Sequence, residues 1–343
     1  VSRVIVFDLS NQSVGEFDAN CDRGWMLYGN PGVDGAGQTA ITIPDSVAVQ
    51  KWLQLGRLIL IQRPPLPAWA GVIDTPWKVT LPVQLTLYNA EFLFSLRSPE
   101  APARFTGSVA EIVKQMIRIV NDQEQTYLTL GNVSGETTSR EETLDQRSLW
   151  DQLVPMLERT GHELVLRPER GADNRLVLYA DVGVDLGDDT GFLLDDGGPG
   201  KNMRVVGGQI NGKIINRVKG VSGQSTSDSQ LATDVLENQA SQDTYRTRSS
   251  IISFRDITQL SALAEYTKVY LAAAKDPYID LTVEIMDVGN TFANMKPGNR
   301  LVAHSSHVYL PGGVLGWRGN VRILAMAYDE DQNTILARLR GRL

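Results

Sequence analysis

Three histidines, a single cysteine and an aspartate-rich run are the residues of this 343-residue chain whose types could do chemistry. His304 and His307 flank Ser305 and Ser306 in a segment that reads as a strand or turn. Side chains alternate along a strand, so residues three apart point to opposite faces, and shared metal ligation there needs a bend. No third ligand with recognisable spacing accompanies them, which leaves His304 and His307 as surface or interface residues. His162 follows Gly161 at the end of an expected helix, where the dipole favours a polar or positive group. Cys21 is the only cysteine. It excludes an intrachain disulfide and any cysteine cluster for zinc or iron–sulfur, and no histidine lies near it in sequence.

Asp185, Asp188, Asp189, Asp195 and Asp196, with Gly187 and Gly197 among them, form an oxygen-rich stretch of the kind that holds calcium. The twelve-residue EF-hand pattern is absent, and a solvated acidic turn accounts for the same residues. No Gly-x-Ser-x-Gly elbow, phosphate-binding Gly-x-x-x-x-Gly-Lys-Ser/Thr loop or Gly-x-Gly-x-x-Gly turn occurs. The sequence therefore marks no catalytic residue and requires no cofactor. A paired-carboxylate glycosidase leaves no sequence signature, and nothing marks the groove it needs. The six tryptophans are spread out, four of them in the first hundred residues. Most are expected in cores. Trp77, beside Pro76, and Trp317, in the Gly-rich stretch 311–319, are those expected at a subunit contact.

The formal net charge of -7, from 40 acidic and 33 basic residues, argues against wrapping DNA, which needs a counterion-releasing basic surface. A wall that DNA slides past is a different matter, since a neutral or acidic lining avoids sticking. Apolar runs such as 58–61 fall far short of a membrane span. The opening residues read as a strand and not as a secretory signal.

The elements that must position these residues are mostly strands, and 31 glycines and 15 prolines suit short strands with many turns. Residues 1–97 read as a compact β domain, with strands near 4–8, 38–43, 57–63, 69–77, 83–88 and 91–97. A short helix is expected at 46–53, capped by Asp45 or Ser46. The segment 98–202 reads as a mixed α+β insertion. Ser108 and Glu111 have capping-box spacing ahead of an apolar stripe from Ile112 to Val120. A second helix is expected at 145–160 around Pro155, then a hairpin over 163–179, with 181–202 as a loop or short-strand excursion. Residues 203–343 read as a second β domain. It carries a long polar loop at 222–250, a helix at 256–274 and strands to the end, closing on a hairpin turned at 328–333.

The two ends rhyme. Gly56-Arg57-Leu58-Ile59-Leu60-Ile61 parallels Gly298-Asn299-Arg300-Leu301-Val302-Ala303, and each precedes a Trp-x-Gly, at Trp69-Ala70-Gly71 and Trp317-Arg318-Gly319. Two related small barrels around a mixed insertion would account for this, and so would chance, because glycine ahead of an apolar strand is common.

The order of segments resembles the hub and tail-associated proteins of long-tailed phages and related injection machines. It runs from Trp25-Met26-Leu27-Tyr28 through Gly35–Ile43, Gly56–Ile61 and Trp69–Ile73 to Asp280–Glu284, Lys296–Val302 and Val321–Asp329. The resemblance implies a mainly β fold with two small β-barrel-like hub domains flanking mixed α/β domains. It implies a structural tail-tip component and not an enzyme: a trimer ring of six quasi-equivalent units joining the tail tube to the central fibre or spike. The implied partners are further copies of the chain, the tail tube or distal tail protein, the fibre or spike and the tape-measure protein. DNA only passes through the channel, and no membrane insertion is implied. The expected location is the virion tail tip, assembled in the host cytoplasm. Longer members carry a C-terminal fibre-like or wall-cutting extension, which a chain closing on its last strand at Leu343 is expected to lack. A carbohydrate-binding receptor module and a distal tail protein or baseplate wedge are the alternatives.

Overall fold

The computed structural model describes residues 1–30, 38–42, 47–73, 84–135, 139–222, 231–254, 257, 259–311 and 313–343. Asp45, Ser46, Trp77 and the strand expected beyond Ile73 lie outside the described residues. The chain begins with β1 (Ser2–Phe7), β2 (Ser13–Ala19), β3 (Cys21–Met26), β4 (Gln38–Thr42), α1 (Val47–Trp52), β5 (Leu58–Gln62), β6 (Trp69–Ile73), β7 (Gln84–Asn89) and α2 (Phe92–Ser95). β1 and β5 are near-continuous apolar runs because both of their faces are covered. Val4, Val6, Ile59 and Ile61 enter one core, and Ile5, Phe7, Leu58 and Leu60 enter a second. Residues 91–97, expected as a strand, instead hold the one-turn helix α2. Consecutive Leu93 and Phe94 are both buried there, which a strand with one covered face does not achieve.

The middle of the chain supplies β8 (Ala103–Gly107), α3 (Val109–Gln123), β9 (Leu128–Ser134), β10 (Arg140–Leu144), α4 (Leu149–Thr160), β11 (Glu163–Arg170), β12 (Leu176–Gly183) and β13 (Asp189–Asp195). The capping box forms as its spacing predicts: the Glu111 N–H donates to Ser108 Oγ and the Ser108 N–H to the Glu111 carboxylate. The stripe Ile112, Val113, Met116, Ile117 and Val120 is buried in the second core. α4 starts at its Ser148 cap and stops at Gly161, whose φ of 67° only glycine adopts readily. β11 and β12 form the expected hairpin, and β9 pairs alongside β12 in parallel.

The remainder holds β14 (Met203–Asn211), β15 (Arg217–Ser222), β16 (Leu236–Glu237), α5 (Gln239–Tyr245), β17 (Ser249–Phe254), α6 (Leu260–Ala274), β18 (Tyr278–Met286), a 3-10 turn (Thr291–Asn294), β19 (Arg300–Leu310), β20 (Val314–Asp329) and β21 (Thr334–Arg342). The polar stretch 222–250, expected as a loop, carries β16 and α5 in its described part. Buried Asn216 organises it, donating to Ser241 Oγ and the Arg246 carbonyl and accepting from the Arg248 N–H.

The strands of the two ends form one sheet, and its order repeats. The N-terminal half runs β3-β4-β7-β6-β5-β1, and the C-terminal half runs β14-β18-β21-β20-β19-β13. In each half a left-handed glycine two residues before the strand (Gly56, φ 82°; Gly298, φ 91°) leads into an antiparallel pair, β5 with β6 or β19 with β20. In each, a tryptophan ring lies over the glycine two residues on. A Cβ at Gly71 would stand 2.1 Å from the Trp69 ring, and one at Gly319 would stand 2.5 Å from that of Trp317. The halves differ at the outer strand, since β1 runs antiparallel to β5 while β13 runs parallel to β19. They join where β20 extends past β19 and pairs with β3. The path is open, with β14 and β2 at its ends, and closes no barrel among the described residues.

Candidate functional site: the seam and the polar clusters beside it

The fold gathers some of the chemistry-bearing residues and separates others. β13 lies beside β19 with Asp195 opposite His304, and Asp195 Oδ1 is 3.1 Å from His304 Nδ1. Asp196, 4% exposed, accepts the Ser306 N–H at 2.8 Å, Ser306 Oγ at 3.0 Å and Ser305 Oγ, with His307 Nδ1 at 3.3 Å. The reason is local. The β19–β20 register shifts between Ser305 and Tyr309, and the carboxylate takes up donors that the irregular ladder leaves over. Burial pushes the Asp196 carboxyl up, and these hydrogen bonds outweigh it, holding the group below the usual carboxylate range.

Serine, histidine and aspartate together suggest a nucleophilic relay, but the geometry is not one. A relay needs histidine between the other two, with one ring nitrogen on each. Here His307 Nδ1 faces both Asp196 and Ser306 Oγ, and Ser306 bonds Asp196 directly. The cluster braces the bulge.

Asp185, Asp188 and Asp189 are held elsewhere. Asp185 pairs with Arg300, and with Arg322 at 3.4 Å; its bond from Arg300 holds the carboxyl below its ordinary value. Asp188 contributes its backbone, donating to Asn299 Oδ1 and accepting from the Arg300 N–H, and Asp189 caps the Gly191 N–H. Among the described residues no group of three or more His, Cys, Asp or Glu side chains is arranged to hold a metal. Trp317, expected in a loop, sits in β20 at 8% exposure, its ring against Gly319 and Gly341. His307 is exposed, His304 partly so, and His162 is buried with Nδ1 3.1 Å from the Thr160 carbonyl.

Buried charge gathers at the seam between β3 and β20. Arg23 has no exposed side-chain surface; its Nη1 donates to Ser2 Oγ and the Cys21 carbonyl at 2.9 Å and to Glu330 Oε2 at 3.3 Å. Its guanidinium centre lies 5.4 Å from the Trp25 ring and 5.0 Å from that of Tyr328, so aromatic faces supplement the ion pair. Glu330 also receives Arg63 Nη1 and Ser2 Oγ at 2.6 Å and the Cys21 N–H at 3.2 Å. Burial pushes its carboxyl up, but these bonds and the Arg63 charge carry it below its ordinary value. The same burial drives the Cys21 thiol up to about 12, which removes it as a nucleophile.

A second tie fixes the mixed layer to the C-terminal sheet. Arg322 makes a two-pronged pair with buried Glu163 and donates to the Leu186 and Gly298 carbonyls. Gly187 (φ 102°) and Gly298 meet backbone to backbone beside it, and a Cβ at Gly187 would stand 2.2 Å from the Gly298 carbonyl carbon. None of Arg23, Glu330, Arg322 and Glu163 is marked in the sequence. Glu330 reads there as one of three acidic turn residues.

On the open face of the seam lies a groove of about 610 Å³, where small residues such as Gly24, Thr282 and Ala325 alternate with larger ones such as Met26, Leu336 and Arg338. Several charged residues along this part of the sheet are paired, Arg204 with Glu284 at 2.6 Å, and Arg338 and Arg340 with Asp280 at 3.0 and 2.8 Å, while Arg342 on the same face of β21 is exposed.

The overall fold is similar to that of several solved tail proteins. The 43 kDa tail protein of prophage MuSo2 from Shewanella oneidensis shares it at TM-score 0.58 and 10% identity, over 99% of this chain and 98% of that one. A prophage tail protein from Listeria monocytogenes EGD-e matches at TM-score 0.58 and 12% identity, over 99% and 94%. A component of the E. coli type VI secretion system, described as similar to the T4 tail proteins gp27 and gp5, matches at TM-score 0.52 and 13% identity, over 95% of this chain and 74% of that one. The sequence matches no family model and no curated protein.

Proposed function

We propose that the chain is a non-enzymatic structural component of a phage tail tip, forming a ring that joins the tail tube to a central fibre or spike around the DNA channel. The observation that carries this is the repeated strand order whose first half is joined to its second edge to strand. Within one chain, β3 at the edge of the first half pairs with β20 of the second. The equivalent edge in the second half is β14, paired only with β18 among the described residues, and the equivalent of β20 is β6. Repeating the same junction between copies sets β14 of one copy beside the β6 side of the next. Such a head-to-tail contact joins unlike surfaces and forms a ring when its rotation closes. Three copies then supply six quasi-equivalent units, the arrangement implied by the resemblance to hub proteins.

The seam suits a mechanical role, since its buried ion pairs and aromatic faces bind the two halves without presenting a reactive group. The partners proposed are further copies of the chain, a tail tube or distal tail protein, and a fibre or spike and tape-measure protein. An exposed aromatic platform, which glycan binding would use, is not formed by Trp25, Trp69, Trp150 or Trp317, all buried.

Light scattering followed by particle imaging tests the ring. The expected mass is three times the 37.7 kDa of the chain, with threefold particles around a pore that admits duplex DNA. A monomer at all concentrations, both alone and with tail-tube protein, would overturn the reading.

A further inference from the structure

Glu91 lies between β7 and α2, is 6% exposed, and its side chain does not cap the helix it precedes. It borders a cavity of about 20 Å³, room for about one water molecule. On one side stand Trp25, Trp69 and Asn89 of the N-terminal sheet; on the other stand Leu166, Pro168 and Leu178 of the β11–β12 hairpin. The two polar neighbours are committed, Trp69 Nε1 donating to Asn89 Oδ1 and to the Gly24 carbonyl, and Asn89 Nδ2 to that same carbonyl.

Charged and titratable groups on the surrounding elements point elsewhere. On β3, Arg23 is bonded to Glu330, and Asp22 accepts the Glu330 N–H. On β11, Glu163 holds Arg322, Arg167 engages Asp181 of β12 and Glu169, and Arg170 lies outside the cavity lining. Tyr88 of β7 stacks on Phe92 of α2, and Tyr179 of β12 lies under Arg167. Among the described residues no cation therefore compensates a charge on Glu91, and the site has no room for a hydration shell.

We propose that Glu91 is a proton-held latch: its neutral carboxyl lets the β11–β12 hairpin dock on the N-terminal sheet, and its ionisation favours undocking. Burial pushes the carboxyl up, against a smaller lowering by a hydrogen bond from its own backbone N–H, to about 7 from 4.5 ordinarily. The docked state therefore binds the proton more tightly than the undocked state. Docking is strongest in mild acid, weakens as pH rises from 4.5 towards 7, and is level above that.

The test is amide exchange on the full chain, corrected for the intrinsic effect of pH, between about pH 5 and about pH 8.5. Protection of β11 and β12 is expected to fall on the order of a hundredfold over this range. Protection in α3 and β21 stays level. Glu91→Gln is expected to remove the dependence and keep high protection at the upper pH. Protection that is level with pH in the unsubstituted chain overturns the proposal, as does an unchanged dependence in Glu91→Gln. Infrared difference spectra of the unsubstituted chain give an independent reading, since a protonated-carboxyl band must persist at neutral pH. Its absence also overturns the proposal.

Discussion

An acidic residue in a turn between two strands ordinarily faces water, yet Glu330, in the turn after β20, is 7% exposed. It is held there because Arg23, Arg63, Ser2 and Cys21 converge on it from β1, β3 and the end of β5. Removing one partner of a buried pair strands the other charge, so Glu330→Ala is expected to cost about 3–5 kcal/mol in chemical denaturation. The pH dependence has a definite sign. The folded carboxyl lies below its ordinary 4.5, so its contribution is complete above that value and is lost as pH falls through the folded value. Glu330→Gln should therefore flatten the acid limb of the stability curve and leave the slope above neutrality unchanged. The sequence hides this residue, since Asp329-Glu330-Asp331 looks like a solvated turn, and its partners lie about 270 to 330 positions away. Trp317 misleads in the opposite sense. The glycines around it suggest a loop, but one of them, Gly319, together with distant Gly341, leaves the space its ring needs.

At the scale of elements, local signals are read correctly and distant ones are not. The capping box of α3 and the closing β20–β21 hairpin depend on neighbours in sequence, and both form where spacing and turn chemistry place them. The run 91–97 reads as a strand because aromatic and apolar residues favour strands, and packing of Leu93 and Phe94 into the second core overrides that preference. The polar composition of 222–250 conceals α5, whose stability comes from the Asn238 cap and from Asn216, well before it in sequence. The same limit explains why Asp195 and Asp196 read as calcium candidates: their partners on β19 are 109 positions on, beyond any motif spacing. The two aspartates separate in experiment. Asp196→Ala strands buried donors and is expected to cost about 1–3 kcal/mol, with faster amide exchange over 303–310. Asp195→Ala removes a partly exposed pair with His304 and should cost less than about 1 kcal/mol. Equal costs would mean that the bulge does not depend on Asp196.

For the molecule as a whole, the repeated strand order was hinted at by two Gly-strand-Trp-x-Gly segments, but the joining of β3 to β20 was not, since nothing local specifies it. If the open face of that seam lines the channel of the proposed ring, its charge pattern decides how DNA behaves there. Phosphates are gripped by arginines that release counterions, and each such contact steepens the salt dependence of binding by about 0.9. Along this face Arg204 is paired with Glu284 and both Arg338 and Arg340 with Asp280, while Arg342 at the end of β21 is exposed. The assembled ring should therefore hold duplex DNA weakly, with a shallow salt slope, as suits a passage that must let DNA through. Freeing those arginines tests the arrangement. Glu284→Gln with Asp280→Asn, on rings shown to be intact by imaging, is expected to steepen the slope by up to about 2.7, three contacts' worth. An unchanged slope in intact rings would place this face away from the DNA path. A steep slope in the unsubstituted ring would mean that arginines on another face, unpaired, line the channel instead.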